Sequence, residues 1–245
     1  YVSYTHRSEL KHVTGLIGYR TQAFMAVDAT TLRSLDVLVP TFDTVRQGSL
    51  FDILNHTRTS MGARLLKQRL RQPLLDPDEI VRRLDAVDVL KEDLLSREEI
   101  REVLKQVYDL ERLVGRISAG TDNPKDCLAL YQSLKGCLDL LPILEHFNQE
   151  SLVSDRQKLT RLMSQGVQSM MNEIEEALSE DSPAHLKDGH VIRAGFNSDL
   201  DALNESFKSV RDWIYELEDR LKKDVGIKAL KVRYNKVFGY YLEVP

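Results

Sequence analysis

"NSDLDALNESFKSVRDWIYELEDRLKKDVG", residues 197–226, carries the clearest periodic signal in the chain. Leu200, Leu203, Phe207, Val210, Ile214, Leu217 and Leu221 follow one another in alternating steps of three and four. That spacing aligns them on one narrow stripe of a helix, the seam of a heptad repeat. Asn197 or Ser198 can cap the first turn, and Gly226 suits the left-handed position that ends a helix. About 28 residues at ~1.5 Å each make a rod of roughly 40 Å. So narrow a stripe on so long a rod calls for a partner helix. The expected partner is either a helix over 153–179 or a segment beyond Pro245, and the chain reads as cut within a domain.

Upstream of the rod the pattern is helical back to Ser49. "SLFDILNH" predicts a short helix, and "TSMGARLLKQRLRQPLL" a second with apolar residues at 61, 65, 66 and 70, stopped by Pro73. Pro77 suits the first turn of a helix carrying Ile80, Leu84, Val87 and Leu90. Ser96 with Glu99 reads as a capping box opening a helix with Ile100, Val103, Leu104 and Val107. "DLERLVGRI" continues as a further helix. Pro124 behind Asn123 opens another through about Leu141, with Leu128, Tyr131, Leu134, Leu138 and Leu141 on one face. A single longer helix is expected over 153–179.

Less regular pieces punctuate this pattern. Residues 1–20 hold Gly15 and Gly18 without a sustained period and read as a linker tail. "AFMAV" (23–27) predicts a short strand, Asp28 a cap for a brief helix through Leu35, and 36–48 a loop. The stretch 180–197 breaks the helical pattern at Pro183, Gly189 and Gly195, with "HVIRAGF" as a short extended piece. The expected fold is therefore mainly α. A multi-helix bundle over 21–193 is followed, over 194–245, by a long helix reaching a small β-hairpin.

Composition narrows the function classes. The 245 residues are 42% hydrophobic and 29% charged, with a net charge of −4, so any affinity for nucleic acid must be local. Cys127 and Cys137 sit ten apart inside an apolar-periodic stretch. That spacing fits neither a zinc site nor a disulfide framework and points to buried free thiols in a reducing cytosol. The six histidines (6, 12, 56, 146, 185, 190) are scattered without ligand spacing, so no metal site is expected. No signal peptide and no apolar run near ~18 residues is found, which argues against a membrane.

Charge is strongly polarised along the last third. Between Asn172 and Glu205 nine acidic residues face Lys187 and Arg193. Between Asp219 and Tyr240, Arg220, Lys222, Lys223, Lys228, Lys231, Arg233 and Lys236 face Asp219 and Asp224. "LKVRYNKVFGYYLEVP" (230–245) reads as two strands around a tight loop. Alternation puts Lys231, Arg233 and Asn235 on one face and Leu230, Val232 and Tyr234 on the other. Cations in a row suit a polyanion backbone: lysine and arginine neutralise phosphates, asparagine donates to phosphate oxygen, and none of these contacts reads sequence. The competing reading is a basic edge strand that merely discourages aggregation. Arg64, Arg69 and Arg71 also cluster, as helix surfaces often do. Asp109, Glu111, Arg112 and Arg116 are expected to form structural ion pairs at helical spacing. They lack the nucleophile, histidine or metal that catalysis needs, so no catalytic residue is expected.

Several of these strings carry a family resemblance. "MAVDATTLRSLDV" (25–37), "GSLFDILNHTRTSMGARLLKQRLRQPLLDPDEIVRRLDAV" (48–87) and "YDLERLVGRIS" (108–118) resemble the lever, or core, domain of the MutS family of DNA mismatch-repair proteins. "AGFNSDLDAL" followed by "GIKALKVRYNKVFGYYLEVP" is similar to that family's clamp region, with spelling closest to bacterial members. Residues 1–20 resemble the tail of the connector that precedes the lever. The resemblance implies a dimeric, ATP-driven ring, located in the cytoplasm with the nucleoid. In it, lever helices join an ATPase end to clamps that grip the backbone of double-stranded DNA. Downstream mismatch-repair proteins are the further partners implied. Carried over to the matched hairpin, the DNA-facing candidates are Lys231, Arg233, Asn235 and Lys236, with Lys228 and Tyr240 behind them.

The sequence contains no G-x-x-x-x-G-K-[ST] phosphate loop and no Phe-x-Glu string of the kind the family uses to probe a mismatch. ATP and magnesium are thus implied for the full-length family and no cofactor for this chain. The chain is expected to be a middle fragment, lever plus outgoing half of a clamp, that neither hydrolyses ATP nor discriminates mismatches. The alternative is a helical protein–protein interaction scaffold whose basic hairpin is merely solubilising.

Overall fold

The computed structural model describes residues 23–40, 48–163, 165–227, 229–235, 237 and 239–244. The expected linker over 1–20, part of the loop expected over 36–48, and the candidates Lys228 and Lys236 lie outside the described residues. The chain divides into two compact units, Tyr1–Val191 and Ile192–Pro245.

The first unit is helical. Short helices α1 (Ala29–Ser34) and α2 (Leu50–Leu54) precede α3 (Ser60–Arg71), α4 (Pro77–Glu92), α5 (Leu94–Leu104) and α6 (Leu110–Ser118). The central helix α7 (Pro124–Leu144), α8 (Glu150–Leu162) and α9 (Gln165–Ala177) complete it. Side-chain caps set most of these boundaries. Asp28 Oδ1 accepts the Thr31 N–H at 2.6 Å, and Thr59 Oγ1 accepts that of Gly62 at 3.0 Å. Ser49 with Asp52, and Asn123 with Asp126, form full capping boxes. Each such bond satisfies an amide that the helix itself leaves orphaned.

Helix α7 is the hub: α5, α6, α8 and α9 all pack against it. Among the described residues it is the one helix long and apolar enough to cross a membrane. Leu130 and Ile143 of α7, Leu113 of α6, and Val107, Phe147, Met163 and Met171 are all buried. Gly136 permits close approach, since a Cβ there would come within 3.0 Å of Val107 Cγ2. Ser133, wholly buried, accepts the Tyr108 N–H at 2.9 Å and donates to the Ala129 carbonyl at 2.7 Å.

Three expectations for this unit are corrected, and one helix face is more exposed than its apolar spacing suggests. The strand expected over 23–27 is a single antiparallel bridge between Phe24 and Leu74, framed by Met25 N–H to Pro73 O and Leu75 N–H to Ala23 O. The short apolar run finds one partner residue rather than a neighbouring strand. The cap of α5 is Asp93, whose carboxylate accepts the Ser96 N–H at 3.0 Å, so Ser96 lies inside the helix. The helix expected over 153–179 is two, because at Met163 the backbone leaves helical angles (φ −80°, ψ 47°) and its side chain turns into the core. On α4, Ile80, Leu84 and Val87 are exposed, while Arg82, Arg83 and Leu90 are the more covered residues.

The second unit consists of α10 (Ser198–Val225) and an antiparallel hairpin, β1 (Lys231–Asn235) with β2 (Gly239–Glu243). Asn197 caps α10 by accepting the Asp199 and Leu200 N–H groups at 3.0 Å each. Gly226 ends it at φ 74°, a left-handed conformation costly to any residue with a Cβ. At the C-terminal end of the seam Ile214, Leu217 and Leu221 are half-buried, and α10 packs against β1 there. Leu203, Phe207 and Val210, further up, are exposed.

Candidate nucleic-acid interface

The hairpin's register decides which side chains share a face. Lys231 lies opposite Glu243, Val232 opposite Leu242, Arg233 opposite Tyr241, Tyr234 opposite Tyr240, and Asn235 opposite Gly239. Because directly opposed residues point to the same side, one face carries Lys231, Arg233, Asn235, Tyr241 and Glu243. The other carries Val232, Tyr234, Tyr240 and Leu242. Tyr234 and Tyr240 meet edge to face, with centroids 5.1 Å apart, so Tyr240 sits opposite the cationic row rather than within it. Gly239 begins β2 at φ 72°, where the chain needs a residue without a Cβ.

The cationic row is partly engaged within the hairpin. Arg233 Nε reaches Glu243 Oε2 at 2.5 Å, with both side chains about half exposed. Exposed pairs of this kind contribute only about 0–1 kcal/mol, so the guanidinium can be drawn off by a stronger anion. Asn235 Oδ1 accepts the Val237 N–H at 2.8 Å and so helps to shape the turn. Lys231 is exposed and, among the described residues, forms no ion pair.

The end of α10 supplies the hairpin's support. Leu230, 2% exposed, is the anchor where the chain enters β1. Glu218 Oε2 accepts the Val232 N–H at 2.9 Å, and its other oxygen receives Lys222 Nζ at 2.5 Å. Lys222, the Val232 amide and Lys231 together hold the Glu218 carboxyl below the usual glutamate range, while Glu218 raises Lys222. Arg220 and Lys223 are exposed nearby on α10.

Glu218 and Glu243 are the residues that sequence reasoning missed. Both flank the stretch whose charge was counted, and both turn back onto it. The spacing of Glu218 four residues before Lys222 was the available signal.

The other charged residues singled out by sequence lie in the first unit. Arg64 donates to Asp109 at 2.5 and 2.9 Å and also pairs with Glu111. Arg116 donates to Asp126 at 3.0 and 2.5 Å. Ion pairs are present, as expected, but except for Arg112 with Asp109 they join separate elements rather than turns of one helix. Lys67 lies 5.0 Å from the centre of the Phe51 ring. Burial raises the thiol pKa of Cys127 and Cys137, which fits inert packing groups.

A family model described as MutS domain III matches residues 30–230. Over 244 residues the chain is 37% identical to the DNA mismatch repair protein MutS of Lachnoclostridium phytofermentans and 39% identical to that of Desulforamulus reducens. It is 34% identical to that of Staphylococcus aureus strain JH9. These alignments take in the whole chain but 26%, 28% and 27% of the respective relatives, so the chain spans about a quarter of their length.

Proposed function

Because the chain belongs to the MutS domain III family, we propose that it grips DNA by its phosphate backbone through the hairpin, as part of a mismatch-repair protein. Packed lever helices moving as bodies couple that contact to an ATPase elsewhere in the whole protein. A homodimer and downstream repair proteins, in the cytoplasm, complete this reading.

The observation that supports it best is the register. Lys231 and Arg233 share one face of the hairpin, with Asn235 beside them. A strand offering cations every second residue can follow a chain of phosphates, and nothing in that row discriminates bases. Lys236 and Lys228 join the proposal on sequence grounds, and Tyr240 as a donor from the hairpin's opposite face.

ATP and magnesium do not fit the residues of this chain. The sequence has no glycine-rich phosphate loop, and among the described residues no three His, Cys, Asp or Glu side chains gather as a metal site. No step of the proposal passes through them, and the chain itself is assigned no catalysis.

Duplex binding of the full-length protein as a function of salt tests the reading. Three phosphate contacts through the hairpin give log K against log[salt] a hairpin-dependent slope of roughly −3. An unchanged slope after neutralising Lys231, Arg233 and Lys236 would reject it.

The exposure of Leu203, Phe207, Val210 and Trp213 favours a second reading, a helical interaction scaffold. Sedimentation of a Phe207→Lys variant separates the two. Loss of self-association in a protein that never bound DNA supports the scaffold.

A further inference from the structure

The carboxylate of Glu218 stands where a DNA-binding surface would least want one. It sits at the basic end of α10, within the field of Lys222 and Lys231. What it does there is visible in the backbone. In an antiparallel pair, N–H groups alternate between the partner strand and the outside. The outward N–H of Val232 is taken by Glu218 Oε2 at 2.9 Å. Lys222 holds the other oxygen at 2.5 Å, and the Glu218 side chain is 17% exposed. The hairpin is therefore tied to α10 by Glu218 through a backbone bond, next to Leu230, which is buried where the chain enters β1.

We propose that Glu218 is a positioning residue: its bond to Val232 fixes the cationic strand on the end of α10, and DNA binding depends on it although its own charge opposes binding. The proposal rests on the reading of the hairpin as a backbone-binding surface. It inverts the ordinary electrostatic expectation, in which removing a carboxylate from a basic surface strengthens the hold on a polyanion.

Two substitutions in the full-length protein test it. Glu218→Gln keeps a carbonyl acceptor for Val232 and removes the charge. Glu218→Ala removes both, and alanine preserves the helix. The readouts are Val232 amide exchange, resolved to the single residue, and affinity for a duplex of arbitrary sequence. The proposal expects the glutamine variant to exchange within about twofold of wild type and to bind as well or better. The alanine variant should exchange about tenfold faster and bind about three- to tenfold more weakly. Equal tightening in both variants, or an unchanged Val232 amide in Glu218→Ala, overturns it. Failure of the wild type itself to bind DNA overturns the backbone-binding reading, and the Val232 amide still decides whether Glu218 holds the strand.

Discussion

Arg64 and Asp109, 45 positions apart in sequence, are joined by two parallel hydrogen bonds of 2.5 and 2.9 Å. The Ser60 hydroxyl donates to the same carboxylate at 3.0 Å, and Glu111 takes the remaining reach of the guanidinium. Asp109 also caps α6. One carboxylate thus ties the start of α3 to the start of α6. The fork geometry belongs to arginine, so a lysine at position 64 keeps the charge and loses the second bond. Arg64→Lys should lower the thermal midpoint of the chain, and Arg64→Ala should lower it further. Melting followed by circular dichroism measures both, and a lysine variant as stable as wild type would show that the fork is unimportant.

Acid should loosen the same contact. Arg64 first, then Ser60, holds the Asp109 carboxyl well below its ordinary value of 3.8. A depressed carboxyl contributes stability that is present above the ordinary value and lost as pH falls toward the folded-state value. Asp126, lowered by Arg116, acts in the same direction. Thermal midpoints should fall from about pH 5 downward, with the steepest loss below about pH 4. Asp109→Asn should start lower at neutral pH and fall less on acidification. A parallel fall in variant and wild type would remove Asp109 from the explanation.

Ser133 gives a neutral counterpart. Its wholly buried hydroxyl accepts from Tyr108 N–H at 2.9 Å, binding α7 to the turn before α6. Ser133→Ala leaves that amide without its acceptor, a loss of about 1–3 kcal/mol. Urea unfolding should show a lower midpoint at unchanged slope.

Much of the fold is written locally. Asp28 and Asn123 stand at the helix starts read from the sequence, and Ser49 and Thr59 cap theirs in the same way, because a cap needs one side chain and an amide two or three residues on. Asn197 and Gly226 bound α10 for the same reason. The failures occur where a nonlocal partner decides. Asp93 outcompetes Ser96 for the first turn of α5, and Met163 leaves the helix to reach the core. Periodicity placed Ile80, Leu84 and Val87 on a helix, as found, but it carries no information on what would cover them. The same limit applies to Leu203, Phe207 and Val210 on α10. At the candidate interface, alternation gave the faces of β1 correctly. The free charge was overcounted, because Arg233 and Lys222 find partners at Glu243 and Glu218 just outside the basic stretch.

The central claim is that the cations of the hairpin hold a phosphate backbone. Its most direct test is retention of the full-length protein on duplex DNA of arbitrary sequence at low salt, with Lys231, Arg233 and Lys236 replaced together by glutamate. Helicity, followed by circular dichroism in parallel, should be unchanged. The account predicts that retention is lost while the helical signal persists. Retention equal to wild type in a protein of unaltered helicity would contradict it.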